Sequence, residues 1–191
     1  RPMNPYGWSK HLFDRRVARL VAEARPRPPQ WAGLKFFNVY GPNEYHKGGQ
    51  MSVVAQLQPK IANGEAAVLF KSHRAGIPDG GQRRDFIWVG DCVDVMMWLR
   101  DSPAVNGLFN VGTGQARSFA DLATAIFAAA DTAPRITYVD TPEAIRDKYQ
   151  YFTEARMTRL RATGYPGQFT PLEEGVRRYV RDFLATDDPY R

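Results

Sequence analysis

Apolar residues recur along this chain with two alternating spacings. Apolar residues three or four positions apart predict helices over about residues 5–24, 51–62, 153–163 and 171–185, and helices that begin near residues 91 and 118. Compact apolar runs predict strands over about 33–40, 66–70, 84–89, 108–111 and 136–139. Helices that alternate with strands are typical of a parallel α/β sheet, so we expect an α/β fold.

Several predicted helices begin with residues that suit helix N-termini. Their side-chain oxygens can accept hydrogen bonds from the first free backbone N–H groups of a helix. The helix after residue 118 also has a predicted core face, formed by Phe119, Leu122, Ala123, Ile126 and Phe127. The predicted capping residues are Asn4 (followed by Pro5), Asp91, Ser118 with Asp121, and Thr170 with Glu173.

The first predicted helix carries a tyrosine and a lysine on its apolar stripe. The stripe uses Phe13, Val17 and Leu20 and extends back through Lys10 and Tyr6. A lysine on an apolar face is costly without a purpose, and residues four apart share one face of a helix. A free tyrosine phenol titrates near pH ~10, and a neighbouring cation stabilises its phenolate. The pattern indicates a proton-transfer pair; an ordinary pair on a solvated face is the alternative.

Composition narrows the function classes. The chain has 191 residues, 43% hydrophobic and 24% charged, which suffices for one domain with a core. No apolar run approaches the ~18 residues of a membrane span.

The net charge of +6 is spread along the chain, which favours an anionic small molecule over a nucleic acid as partner. A single cysteine and no apolar leader segment favour the cytoplasm. The three histidines lack metal-ligand spacing.

Four motifs follow one another in order along nearly the whole chain. They are NPYGWSK at 4–10, FFNVYGP at 36–42, RDFIWVGD at 84–91 and FNVGTG at 109–114. Together they resemble the extended short-chain dehydrogenase family. Two further segments, NEYHKG at 43–48 and KYQYFT at 148–153, with Leu69-Phe70 before a polar loop, resemble the ADP-glyceromanno-heptose 6-epimerase branch of that family.

The resemblance implies a fold and a reaction. The fold would be the C-terminal part of a Rossmann-like parallel sheet plus a smaller mixed α/β substrate-binding domain. The reaction would be epimerisation at C6 of an ADP-heptose by transient oxidation with bound NADP, in a homo-oligomer. Inversion needs proton handling on two sides of the carbon, and Tyr6 and Lys47 match the two acid/base residues.

The resemblance also implies binding roles. Lys10 matches the lysine that contacts the cofactor ribose, Val39 a backbone contact to the nicotinamide end, and Lys47 a further cofactor contact. Arg84 matches a residue that binds the ADP diphosphate, for which a bidentate guanidinium is suited. The remaining implied substrate contacts are Asn38, Gly49, Gln56, Phe70, Lys71, Ser72, His73 and Tyr149.

The chain departs from the family pattern at several of these positions. Gly49 stands where the family often has serine, Gln56 where histidine is common, and the segment after Phe70 differs and continues into a long polar loop at 72–82. As ordinary residues, Lys47 and Arg84 would be exposed surface cations and Asn38 a strand-end turn former.

The glycine-rich Gly-x-x-Gly-x-x-Gly turn that cradles the cofactor pyrophosphate in this family is missing from the printed sequence. Gly112-Thr113-Gly114 has the wrong spacing for it, and the Ser or Thr that partners the Tyr-Lys pair is also missing. We therefore expect residues 1–191 to be a C-terminal part that neither binds NADP tightly nor turns over alone. The alternatives are another nucleotide-sugar 4-epimerase, a 4,6-dehydratase, or a non-catalytic binding protein of the same fold.

Overall fold

The computed structural model describes residues 2, 4–146 and 148–190; residues 1, 3, 147 and 191 lie outside this part. Helices and strands alternate in it, as predicted. The helices are α1 (Pro5–Ala22), α2 (Val53–Ala62), α3 (Val89–Arg100), α4 (Phe119–Ala129), α5 (Glu143–Arg146), α6 (Thr158–Ala162) and α7 (Leu172–Tyr179). A 3-10 helix (Tyr45–Gln50) precedes α2, and a π-helix (Val180–Leu184) continues α7. The strands are β1 (Ala32–Phe36), β2 (Asn38–Tyr40), β3 (Ala67–Phe70), β4 (Arg83–Arg84), β5 (Phe86–Trp88), β6 (Gly107–Val111), β7 (Arg117–Ser118) and β8 (Ile136–Val139).

Most strand pairs are parallel, which confirms the predicted α/β class. Strand β1 pairs with β6, β2 with β5, and β3 with β8, all in parallel, while the short strands β4 and β7 pair antiparallel. Parallel neighbours bring the carboxyl ends of their strands to one edge, where ligands bind in open α/β sheets. The residues that follow β2 and β5 therefore lie at a favourable position for a site.

Two segments that the sequence predicts as single strands are each divided in two. The predicted strand at 33–40 breaks at Phe37, whose N–H donates to the Val111 carbonyl at 3.0 Å, while the next N–H, of Asn38, donates to the Asp85 carbonyl at 2.9 Å. The chain thus changes partner from β6 to β5 within one residue. The predicted strand at 84–89 breaks at Asp85 for the same reason, between β4 and β5.

The main core lies between helices α2, α4 and α7 and strands β2, β3 and β5. The predicted face of α4 is confirmed, because Leu122, Ala123, Ile126 and Phe127 are buried and Phe119 packs against them. A second core joins α3 and α6 to β5 and β6; its members include Ile87, Val95, Phe109 and Leu160.

Helix α1 begins as predicted, but its predicted apolar stripe is not buried. The Asn4 side chain accepts the Gly7 N–H at 2.8 Å, so the predicted cap is confirmed. The helix ends at Ala22, two residues early, just before Ala24 adopts a φ of 49°. Within the described part of the chain, α1 has no buried residue, and Phe13 is 68% exposed.

One further predicted cap is confirmed and two are wrong. Ser118 and Asp121 form a reciprocal capping box at the start of α4. Asp91 does not cap α3, and Thr170 does not cap α7; instead, the Thr170 N–H and hydroxyl donate to the Asp91 carboxylate at 2.8 and 2.7 Å. Burial raises the pKa of Asp91, and these two bonds oppose that rise. The two predicted caps therefore tie α3 to the segment before α7.

Near the C-terminus the predicted helix at 153–163 shortens to α6, and α5 forms where the sequence predicts no helix. Of the helices described, none combines the length and the apolar character that crossing a membrane requires.

Candidate active site

Two predicted proton-transfer residues line one cavity of about 500 Å³, which we name the Tyr6–Lys47 cavity. Tyr6 comes from the first turn of α1, and Lys47 from the 3-10 helix that follows β2. Asn38 and Val39 of β2 line the same cavity. The structure thus brings together both predicted catalytic residues, one predicted substrate contact and one predicted cofactor contact.

The Tyr6–Lys10 pair shares one face of α1, as its spacing predicts. The Lys10 Nζ lies 5.2 Å from the centroid of the Tyr6 ring, and the Ser9 hydroxyl donates to the Tyr6 carbonyl at 2.8 Å. Tyr6 is 72% exposed. Lys10 is not among the residues that line the cavity.

The segment that carries Lys47 is held by a buried carboxylate, Glu44, whose role the sequence does not reveal. Glu44 is 4% exposed. Its oxygens accept the Ser52 N–H at 2.6 Å, the Ser52 hydroxyl at 2.6 Å and the Tyr179 hydroxyl at 2.9 Å. Along the chain Glu44 is a polar loop residue, and one of its three donors, the Tyr179 hydroxyl, comes from the distant helix α7. The local signal that could have indicated this role is the helix-capping serine eight residues later.

Gly49 and Gln56 contact each other beside the cavity rather than in it. The Gln56 Nε2 donates to the Gly49 carbonyl at 3.3 Å and to the Met51 carbonyl at 2.6 Å. Neither Gly49 nor Gln56 lines the Tyr6–Lys47 cavity. In this conformation both residues fasten the loop to α2.

A second cavity, of about 620 Å³, shares Tyr6 with the first. We name it the Arg84 pocket; Arg84, Lys148, Tyr149 and Tyr6 line it. The Arg84 guanidinium carbon lies 5.6 Å from the Phe119 ring centroid and 5.5 Å from that of Tyr149. Burial lowers the pKa of Arg84, and it raises the pKa of Tyr149 while the Arg84 charge opposes that rise.

Of the four consecutive predicted substrate contacts at residues 70–73, only Phe70 contacts the residues of this pocket. Its ring meets the Tyr149 ring edge-on, with 6.2 Å between centroids. Lys71 instead pairs with Asp140 at 3.4 Å, and the Ser72 N–H donates to Asp79 at 2.7 Å. The His73 Nε2 accepts the Thr141 N–H at 3.2 Å. Lys71 and His73 thus contact residues just after β8, Ser72 bonds within the polar loop, and none of the three lines either cavity.

The residues present fit the nicotinamide end of a dinucleotide but not its pyrophosphate. Tyr6 and Val39 face one cavity of suitable size. The Gly112–Gly114 turn, in contrast, is filled by the Asp85 carboxylate, which accepts the Thr113 N–H at 2.7 Å and the Gly114 N–H at 2.9 Å. A carboxylate that occupies these N–H groups excludes a phosphate from them. The Gly112–Gly114 turn therefore has a structural role: it anchors the Asp85 carboxylate.

Comparisons with known proteins show the family to which the chain belongs. The chain is 53% identical over 190 residues to the ADP-L-glycero-D-manno-heptose-6-epimerase of Nitratidesulfovibrio vulgaris (strain DP4). This match covers 100% of this chain and 57% of that protein. The epimerase of that name from Fusobacterium nucleatum is 43% identical over 195 residues, covering 99% of this chain and 58% of that protein. This chain thus spans less than two thirds of these curated relatives.

Solved structures of related enzymes share the Rossmann-like fold. The crystal structure of ADP-L-glycero-D-manno-heptose-6-epimerase from Helicobacter pylori matches with a TM-score of 0.75 and 25% identity, over 97% of this chain and 53% of that one. The UDP-glucose 4-epimerase of Thermus thermophilus, solved in complex with NAD, matches with a TM-score of 0.73 and 26% identity. This match covers 93% of this chain and 53% of that one. The family model described as the NAD dependent epimerase/dehydratase family matches residues 1–112. The chain belongs to that family.

Proposed function

We propose that this chain is the C-terminal part of an NADP-dependent enzyme that inverts C6 of ADP-D-glycero-β-D-manno-heptose to give the L-glycero epimer, in lipopolysaccharide core biosynthesis. One observation carries the proposal: Tyr6 and Lys47, distant in sequence, line one cavity. The heptose-epimerase names of the relatives at 53% and 43% identity support this substrate over other nucleotide sugars.

The proposed chemistry assigns one proton to each residue. When bound, the nicotinamide accepts a hydride from C6 and returns it to the opposite face of the transient ketone. As the hydride leaves, one of the pair Tyr6 and Lys47 accepts the C6 hydroxyl proton. As the hydride returns, the other donates a proton to the ketone oxygen, so the alcohol is restored with inverted configuration. Two proton-transfer groups on one cavity are what this reaction requires.

The proposed binding roles follow the two cavities. Lys10 and Val39 would hold the ribose and nicotinamide end, and Asn38 the heptose, in or beside the Tyr6–Lys47 cavity. Arg84 would bind the ADP diphosphate in the Arg84 pocket, which Tyr149 also lines; the Phe70 ring packs edge-on against the Tyr149 ring. A guanidinium that is partly desolvated between two rings binds an anionic oxygen more strongly than a fully hydrated one.

Nucleotide selectivity tests the substrate class. We expect calorimetric titration of this chain with ADP-heptose to show saturable binding that is at least tenfold tighter than binding of UDP-glucose or dTDP-glucose, because the family resemblance is to an ADP-sugar enzyme. Arg84→Ala should abolish the binding, while the exposed Arg100→Ala should preserve it. Preference for a UDP-sugar or a dTDP-sugar would favour a 4-epimerase or a 4,6-dehydratase instead.

Turnover tests the catalytic assignment. In the enzyme that joins this chain to a cofactor-binding region, we expect Tyr6→Phe to lower kcat by about 10²–10⁴-fold, the usual contribution of a general acid or base, with little change in substrate affinity. Turnover by Tyr6→Phe at the wild-type rate would refute the role of Tyr6. Absence of turnover by the unaltered enzyme, with ligand binding retained, would favour a non-catalytic protein.

Cofactor and assembly are tested separately. We expect NADP rather than NAD in the cofactor released from the denatured enzyme, and no micromolar NADP binding by residues 1–191 alone. Sedimentation of the complete enzyme should give a homo-oligomer, and cell fractionation should place it in the cytoplasm.

A further inference from the structure

The segment that carries Lys47 has little structure of its own. It is a 3-10 helix of six residues between β2 and α2, interrupted at Gly48, whose φ of 53° and ψ of −125° are not helical. Single 3-10 turns have poor hydrogen-bond geometry and rarely persist without outside support. The position of Lys47 relative to Tyr6 therefore depends on what holds the two ends of this segment.

Both ends are bound by one residue, Glu44: its backbone carbonyl binds within the segment and its side chain binds the residue that follows it. Glu44 precedes the segment, and its own carbonyl accepts the Lys47 N–H at 3.0 Å. Ser52 follows the segment, and its N–H and hydroxyl donate to the two Glu44 oxygens, each at 2.6 Å. The Ser52 hydroxyl also accepts the Ala55 N–H at 3.3 Å as the N-cap of α2, so the loop is closed directly onto a buried helix.

A third bond fixes this closed loop to the main core. The Tyr179 hydroxyl of α7 donates to Glu44 Oε1 at 2.9 Å, and Tyr179 is fully buried. Burial and the Glu44 charge raise the pKa of Tyr179, so this hydroxyl stays protonated and remains a donor. A buried carboxylate is costly unless it is well hydrogen-bonded, and here three donors satisfy it.

We propose that Glu44 is a positioning residue that sets Lys47 at the Tyr6–Lys47 cavity by closing the loop between β2 and α2. Glu44 borders that cavity beside Lys47 and Ser52. The inference rests on the proposed acid/base function of Lys47. If Lys47 serves only one face of C6, misplacing it slows proton transfer for one epimer and spares the other, an asymmetry that a general loss of stability does not produce.

The test measures the two faces separately in the enzyme that joins this chain to its cofactor-binding region. Each C6 epimer is mixed with the loaded enzyme in a single-turnover experiment, and reduced nicotinamide is followed by its absorbance. Glu44→Gln keeps the size of the side chain but turns an amide NH2 toward the donors. We expect it to slow the oxidation of one epimer about 10²-fold, as a misplacement near 1 Å does, and the other less than threefold. Glu65→Gln, the same change at an exposed position, should leave both unchanged.

Lys47→Met distinguishes the acid/base role of Lys47 from its positioning by Glu44. If it slows the same epimer as Glu44→Gln, both the role of Lys47 and its positioning by Glu44 are supported. If Lys47→Met is selective for one epimer but Glu44→Gln slows both equally or neither, the positioning role is wrong while the proposed function stands. If Lys47→Met changes neither epimer, the proposed role of Lys47 is wrong, and this inference with it.

A second variant keeps the test decisive if Glu44→Gln does not fold. Tyr179→Phe removes only the bond from α7 and leaves both Ser52 bonds in place. We expect a smaller loss at the same epimer, together with faster amide hydrogen exchange over residues 45–51. Unchanged exchange and equal rates for the two epimers would overturn the proposal.

Discussion

Helices α1 and α4 carry similar amphipathic patterns, yet within the described chain only α4 has fully buried residues. Helix α1 has 18 residues, none buried, whereas α4 has 11 residues, six of them buried against α2 and α7. The contrast shows that an apolar stripe predicts which face of a helix needs covering, but not whether this part of the chain supplies the cover.

The candidate active site spans these two regions. Tyr6 lies on the uncovered helix, while Lys47 and Arg84 lie on segments fastened to the main core. Helix α1 is held by an ion pair between Asp14 and the Lys35 Nζ of β1, at 2.5 Å, and it leaves an apolar groove of about 470 Å³ along β1. The two proton-transfer residues are therefore supported to very different degrees.

The largest effect should come from emptying the core beneath α4. Each helix carries a phenylalanine, so the same substitution can be made on both. Phe127 of α4 is 1% exposed, whereas Phe13 of α1 is 68% exposed. We expect Phe127→Ala to lower the free energy of unfolding by about 3–5 kcal/mol, and Phe13→Ala to change it by no more than about 0.5 kcal/mol. Urea unfolding measures both. A comparable loss for Phe13→Ala would mean that the α1 face is covered in solution, and the contrast would fail.

A smaller effect should follow from changing one carboxylate to an amide in each region. Asp85 is fully buried and accepts four hydrogen bonds, from the Thr113 N–H and hydroxyl and from the Gly114 and Ala155 N–H groups. We expect Asp85→Asn to lower the free energy of unfolding by about 2–3 kcal/mol, because its amide turns NH2 toward buried donors.

Asp14→Asn is the matched change on α1. It removes a single ion pair near the surface, and we expect a loss of at most about 1 kcal/mol. The same urea experiment measures both variants. Equal losses at Asp85 and Asp14 would show that α1 is held as firmly as the Gly112–Gly114 turn.

The contrast also explains how far the sequence predicts the fold. Features with local causes are confirmed: the Asn4 cap and the Ser118 capping box each depend on residues within about one turn of helix. Features with distant causes are not. The strand break at Phe37 requires two different partner strands, and Asp91 and Thr170, each locally suited to cap a helix, bond to each other instead.

The candidate site divides in the same way. Tyr6 and Lys10 are predicted from their spacing and from the apolar stripe, and the resemblance adds Lys47, Asn38 and Val39; the structure brings all of these except Lys10 to the Tyr6–Lys47 cavity. The role of Glu44 is not predicted, because one of its donors, Tyr179, lies far along the chain. The predicted substrate contacts at 71–73 differ because Asp79, Asp140 and Thr141 engage those residues, and no pattern in the sequence connects them.

The smallest effect should come from the helix caps. Removing either cap should cost a similar free energy, but in α4 the cost should appear in global unfolding and in α1 in local opening. Asn4→Ala and Ser118→Ala each remove one capping side chain, worth about 1 kcal/mol. For Ser118→Ala we expect that loss in the global unfolding free energy, because α4 unfolds with the core. For Asn4→Ala we expect an unchanged global midpoint and about fivefold faster amide exchange in the α1 backbone, since a helix without buried residues can open alone.

Hydrogen exchange at single-residue resolution distinguishes these outcomes. A fall in the global midpoint for Asn4→Ala would show that α1 unfolds together with the core and would remove the contrast between the two regions. Local opening would instead mean that the position of the Tyr6 phenol at the Tyr6–Lys47 cavity depends on the closed state of α1. Catalysis would then depend on the local stability of α1 as well as on the stability of the core.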